Sequence, residues 1–98
     1  MQIGSTIKSL RVQKGISQKD LAIHAGITAP YLSLVENNVK QPTMGAVVKI
    51  SEALGVPPEV LFFLSLDKST LPKNKQAAFA TLVEPIKSLV NQIFIAGQ

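Results

Sequence analysis

The run Ser17–Asn37 constrains this chain more than any other stretch. It reads as two short helices with a sharp turn between them. Ser17 is an N-cap residue, and Asp20 three positions on favours the first helical turn electrostatically. Leu21, Ala22 and Ala25 repeat at helical spacing, and Gly26 stops the helix because glycine adopts the left-handed conformation a helix end requires. Ile27 fills the turn. Thr28 caps a second helix in which Pro30 sits early, where its missing N–H costs little. Tyr31, Leu32 and Val35 give this second helix a narrow inward face, and Thr28, Ala29, Ser33 and Leu34 are free to point outward.

Helical segments flank this pair on both sides. Residues 3–14 place Ile3, Ile7 and Leu10 on one face and carry Lys8, Arg11 and Lys14, with Gly15 ending the segment. After the pair, Asn37 to Pro42 is a loop, since Asn tolerates left-handed geometry and Pro42 delays the next helix. Thr43 caps a fourth helix that Gly55 terminates. A fifth, from Glu59 to about Leu66, has almost no polar face, so something beyond the first four helices must cover it. Residues 67–74 are polar, interrupted by Pro72, and read as a linker. In the last segment Phe79, Leu82, Ile86, Leu89 and Ile93 recur at spacings of 3, 4, 3 and 4, a heptad-like seam. Pro85 leaves two readings, a kinked helix or a new one starting near Glu84.

The 98 residues are one domain's worth with an appended element, and 46% hydrophobic residues are enough for a core. So small a domain is still marginal, and association with a second copy would help it. With no cysteine and a single histidine, His24, the chain offers no disulfide, no sulfur-based metal site and little catalytic material. No metal and no cofactor is expected. The six acidic residues form no pair, and no glycine loop cradles a phosphate, so an enzyme is not the expectation. No stretch is long enough to span a bilayer and no signal peptide is evident, which makes the cytoplasm the expected compartment. The net charge of +4 permits a phosphate-bearing partner without demanding one.

The central helix pair has the outline of a helix-turn-helix, whose second helix enters a DNA major groove. Residues 3–66 resemble the phage-repressor, Cro/CI-type (Xre-like) helix-turn-helix family of DNA-binding domains. The resemblance rests on Ser17 to Ala22, Gly26-Ile27, Tyr31-Leu32-Ser33, Val35-Glu36-Asn37, Pro42-Thr43 and Ala53 to Val56. It covers about two-thirds of the chain without insertions; the C-terminal third lies outside it. It implies an all-α fold: a five-helix DNA-binding domain at 1–66, a linker at 67–74 and a C-terminal amphipathic helical dimerisation segment at 75–98.

Position by position, the resemblance implies that Gln18 contacts a phosphate or braces the recognition helix; the plain alternative is a surface glutamine. Thr28 caps that helix and touches the DNA backbone or a base. Ala29, Pro30, Ser33 and Leu34 occupy slots from which the family reads base edges. Here the chain departs from common members, because Ala29, Pro30 and Leu34 offer no hydrogen bonds and exclude bidentate reading of guanine or adenine. Contact with thymine methyl groups remains, with Ser33 as a polar reader; Leu34 is alternatively core. Arg11 and Glu36 match a family ion pair joining the first and third helices. Asn37, Lys40 and the helix N-terminus at Thr43 form a phosphate clamp. Lys8, Lys14 and Lys19 add long-range attraction or are simply solvated charges.

The implied function is a sequence-selective double-stranded DNA-binding regulator, a repressor, acting as a homodimer on a palindromic operator. Phe62 and Phe63 with Phe79, Leu82, Ile86, Leu89 and Ile93 would form the interface between copies. The alternative is a protein-interaction module of the antitoxin or adaptor type, with a toxin or other protein as partner and weak DNA binding.

Overall fold

Three helix starts are closed by short-range hydrogen bonds. Ser17 Oγ accepts the Asp20 N–H at 3.0 Å, Thr28 Oγ1 the Tyr31 N–H at 3.2 Å, and Thr43 Oγ1 the Ala46 N–H at 3.1 Å. Each satisfies a donor that a first turn leaves without an intrahelical partner. The resulting order is α1 (Ile3–Gln13), α2 (Gln18–Ala25), α3 (Ala29–Glu36), α4 (Met44–Leu54), α5 (Pro58–Leu64) and α6 (Lys73–Asn91). A π-helical turn, Gln92–Ala96, continues α6. Gly26 and Gly55 end α2 and α4 at φ 68° and 73°, in the left-handed region. The computed structural model describes residues 2–67, 69 and 71–96. Among these the protein is all-helical. Met1, Lys68, Thr70, Gly97 and Gln98, which fall in the expected domain, linker and C-terminal segment, lie outside the described residues.

One core joins the first five helices. Ile7, Leu21, Leu32, Ile50 and Leu61 are fully enclosed in it, one from each helix. α1 crosses α3 so closely that the backbones themselves meet: a methyl group on Gly4 would overlap the Val35 carbonyl oxygen. Gly4→Ala is therefore expected to destabilise by about 2–3 kcal/mol, although alanine favours a helix over glycine by about 1 kcal/mol elsewhere. Gly45→Ala, with open space around it, should be neutral or stabilising. Equal melting temperatures for the two variants would show that α1 can slide off α3 at little cost.

Helix boundaries shift by one or two residues from the sequence reading. α1 ends at Gln13 with Lys14 as its cap. α5 starts at Pro58, whose ring presets the helical φ, and stops at Leu64. Ser65 ends it, bonding its own hydroxyl to the Leu61 carbonyl at 2.8 Å. α6 starts at Lys73, inside the stretch expected as linker, because Pro72 accepts the Lys75 N–H at 2.9 Å and opens the helix.

α5 lies against α1, α4 and α6, which accounts for its lack of a polar face. α6 buries Phe79 near its start, and Phe94 in the π-helical turn packs against the main core. Between these anchors Lys87 Nζ donates to the Leu66 carbonyl at 2.7 Å, beyond the end of α5. α6 is continuous through Pro85, so no new helix starts near Glu84. Thr81, whose carbonyl Pro85 cannot serve, is itself an exposed residue.

Candidate nucleic-acid interface

α3 is held from behind by a charged knot. Arg11 Nε donates to Glu36 Oε2 at 2.7 Å and Arg11 Nη2 to Glu36 Oε1 at 3.1 Å, a two-pronged pair. Arg11 Nη1 reaches the Ile16 carbonyl at 2.8 Å, and Gln18 Nε2 donates to Glu36 Oε1 at 2.9 Å. The Glu36 side chain is fully buried. One carboxylate therefore ties the end of α1, the start of α2 and the end of α3 together. Gln18, half-buried, sits at the start of α2 as a brace on α3, with its amide nitrogen turned to Glu36.

The outer side of α3 is short of hydrogen-bonding groups. Thr28 uses its hydroxyl oxygen as the cap acceptor. Ala29 is half-buried and packs against the core, while Pro30 is exposed. Leu34 is 42% exposed and not part of the core, so the core alternative for it fails. Ser33 is half-buried. Asn37 turns its amide back on α3, donating to the Ser33 carbonyl at 3.0 Å with the Ser33 hydroxyl 3.5 Å away.

Beyond α3 the chain turns through Asn38 at φ 60°, and the Asn38 amide donates to Ser5 Oγ of α1 at 2.7 Å. Tyr31 then links α3 to α4. Its phenol oxygen accepts the Thr43 N–H at 3.3 Å, and Lys40 Nζ lies 5.3 Å from the centre of its ring. This places an ammonium group beside the N-terminus of α4. The first N–H groups of that helix, Met44 and Gly45, have no intrahelical acceptor, and the helix dipole points its positive end the same way. The Tyr31 linkage escaped the sequence reading because it joins residues 12 apart through a loop of no fixed periodicity.

The residues expected between copies divide in two. Phe79 is buried and Phe62 packs against the core, so both are taken up by their own chain; Phe63 is half-buried. Leu82, Ile86, Leu89 and Ile93 remain in the open at 64, 50, 59 and 68% exposure. They form an apolar ridge that runs along α6 and into the π-helical turn at Ile93, because residues 3 and 4 apart share a helix face. Among the described residues no cluster of histidine, cysteine and acidic side chains could hold a metal, and no helix is long and apolar enough to cross a membrane.

Comparison with known proteins agrees with this geometry. A family model described as helix-turn-helix matches residues 7–61. An uncharacterised HTH-type transcriptional regulator of Mycobacterium tuberculosis is 40% identical over 59 residues, 60% of this chain and 42% of that protein. The chain thus spans less than half the length of the mycobacterial relative. The HTH-type transcriptional regulator SinR of Bacillus subtilis is 40% identical over 55 residues, 55% of this chain and 50% of that one. Among solved structures, a SinR protein/SinI protein complex superposes with a TM-score of 0.60 at 30% identity, covering 98% of this chain and 99% of the other.

Proposed function

The chain belongs to the helix-turn-helix family of DNA-binding transcriptional regulators, and on that premise we propose that it represses transcription as a homodimer on a palindromic operator. The observation that carries this reading is the presentation of α3. The helix is pinned from behind through Glu36 and leaves Pro30 and Leu34 outward, with Lys40 and the start of α4 beside it. Gln18, Thr28, Ala29, Ser33, Asn37 and Thr43 surround that outward row and are its proposed DNA contacts. Phosphate contacts fix register without reading sequence.

A second copy is assigned to the α6 ridge. Leu82, Ile86, Leu89 and Ile93 would interlock with their counterparts as a short antiparallel or parallel pair, removing from water apolar surface that a single chain leaves open. Two recognition helices then double the base contacts and impose two-fold symmetry on the site.

Selection of bound duplexes from a random library at two salt concentrations tests the reading. Enrichment of a palindrome with half-sites about one helical turn apart, some 34 Å, is the expected result. Binding that is steeply salt-dependent yet enriches nothing would mean phosphate contact without readout. That outcome favours the second reading, a protein-interaction module of the antitoxin or adaptor type. Two observations support that alternative. Much of the polar inventory around α3 is engaged within the chain, and the structurally similar SinR was solved as a complex with another protein.

A further inference from the structure

We infer that this protein reads its DNA through the 5-methyl groups of pyrimidines, so that 5-methylcytosine substitutes for thymine at the contacted positions. The inference rests on the DNA-binding reading above and specifies the chemistry that reading recognises. Discrimination by hydrogen bonds needs side chains that present donor and acceptor together to a base edge. The two amides flanking the outward row of α3, Gln18 and Asn37, each spend an N–H within the chain. Gln18 Nε2 is on Glu36 at 2.9 Å, and Asn37 Nδ2 is on the Ser33 carbonyl at 3.0 Å. The Thr28 and Thr43 hydroxyls accept the cap N–H groups of their own helices. Ser33 keeps a hydroxyl near the surface, but a lone hydroxyl pairs with either kind of base edge and selects weakly.

What α3 does project is Leu34, 42% exposed, and the ring of Pro30. The apolar group on the major-groove edge of a natural base pair is the C5-methyl of thymine. A leucine placed there gains by removing that methyl from water, and gains nothing from unmodified cytosine or uracil. Cytosine methylated at C5 carries the same group at the same place, so it offers Leu34 the same contact. Uracil keeps all of thymine's hydrogen-bonding groups and lacks only the methyl, which makes it the substitution that isolates this contact.

The test uses the full chain and the best-enriched duplex from the library selection. Compared with it are a duplex with uracil for thymine within the half-sites and one with uracil only outside them. Two more carry C·G or 5-methylcytosine·G at one contacted T·A pair. Uracil inside the site should weaken binding about fourfold for each contacted methyl, the worth of burying one methylene-sized group. Uracil outside should do nothing, and 5-methylcytosine should recover affinity that cytosine loses. Leu34→Ala, at an exposed position that leaves the fold intact, should bind the thymine and uracil duplexes alike. Equal binding of both by the unaltered protein, with sequence preference retained, overturns methyl reading while leaving the DNA-binding reading in place. Thymine preference persisting in Leu34→Ala overturns the assignment to Leu34. No preferred duplex at all removes the underlying reading and this inference with it.

Discussion

Replacing Arg11 with alanine should lower the stability of the chain by about 3–5 kcal/mol, the usual cost of removing one partner from a buried ion pair. The Glu36 carboxylate would stay in a fully buried place with only the Gln18 amide as donor. The Ile16 carbonyl would lose its partner as well. For a domain whose total stability is of the order of 5–15 kcal/mol, that is a large share. A fall in melting temperature of about 12–40 °C follows from about 4–8 °C per kcal/mol in a domain of this size. Thermal unfolding followed by circular dichroism measures it. Arg11→Met combined with Glu36→Met should recover most of the loss, since two apolar side chains leave no buried charge behind. A drop below 1 kcal/mol for the single variant would mean that water reaches Glu36 and the pair does not hold α1 to α3. Because the same carboxylate also receives Gln18, loss of Arg11 should loosen α3 and weaken DNA binding beyond what the unfolded fraction explains.

The second large effect is expected at the α6 ridge. Ile86→Lys together with Leu89→Lys should give a monomer and weaken binding to a palindromic duplex by about a hundredfold or more, the advantage that linking two binding modules typically confers. The two side chains are 50 and 59% exposed, so the charges meet water and the monomer keeps its helices. Light scattering at low micromolar concentration reads the oligomeric state, and titration of one duplex reads the affinity. An unaltered chain that is already monomeric under these conditions removes the α6 dimer. A charged variant that still dimerises moves the interface elsewhere. Placing the charges at Phe79 instead would be uninformative, because that ring is buried and its loss would unfold the start of α6.

Phe79 and Leu82 show where sequence reading stops. Both lie on the same heptad-like seam and differ in nothing that spacing can detect. One is buried while its neighbour a turn away is 64% exposed. Pro85 was ambiguous for a similar reason. The missing N–H matters only if nothing else can serve the orphaned carbonyl, and its exposure depends on where α6 docks. Gly4 attracted no notice in the sequence, since nothing local marks a glycine that meets a helix 31 residues away. Gln18 has a phosphate contact, a brace and a plain surface residue among its sequence readings, and its bond to the Glu36 carboxylate shows the brace.

What the sequence determined by itself is local. Caps at Ser17, Thr28 and Thr43 and the left-handed stops at Gly26 and Gly55 act within about four residues, the reach of one helical turn. The apolar spacing that buries Ile7, Leu21, Leu32 and Ile50 is likewise a property of single helices. The tertiary structure alone decided which polar groups around α3 remain for a partner and which apolar residues of α6 remain uncovered. Hydrogen bonding and burial are settled by the nearest atom in space. Arg11 and Glu36 stand 25 residues apart, and Lys87 lies 21 from the carbonyl it holds. Only the packing of whole helices brings such residues within 3 Å of each other.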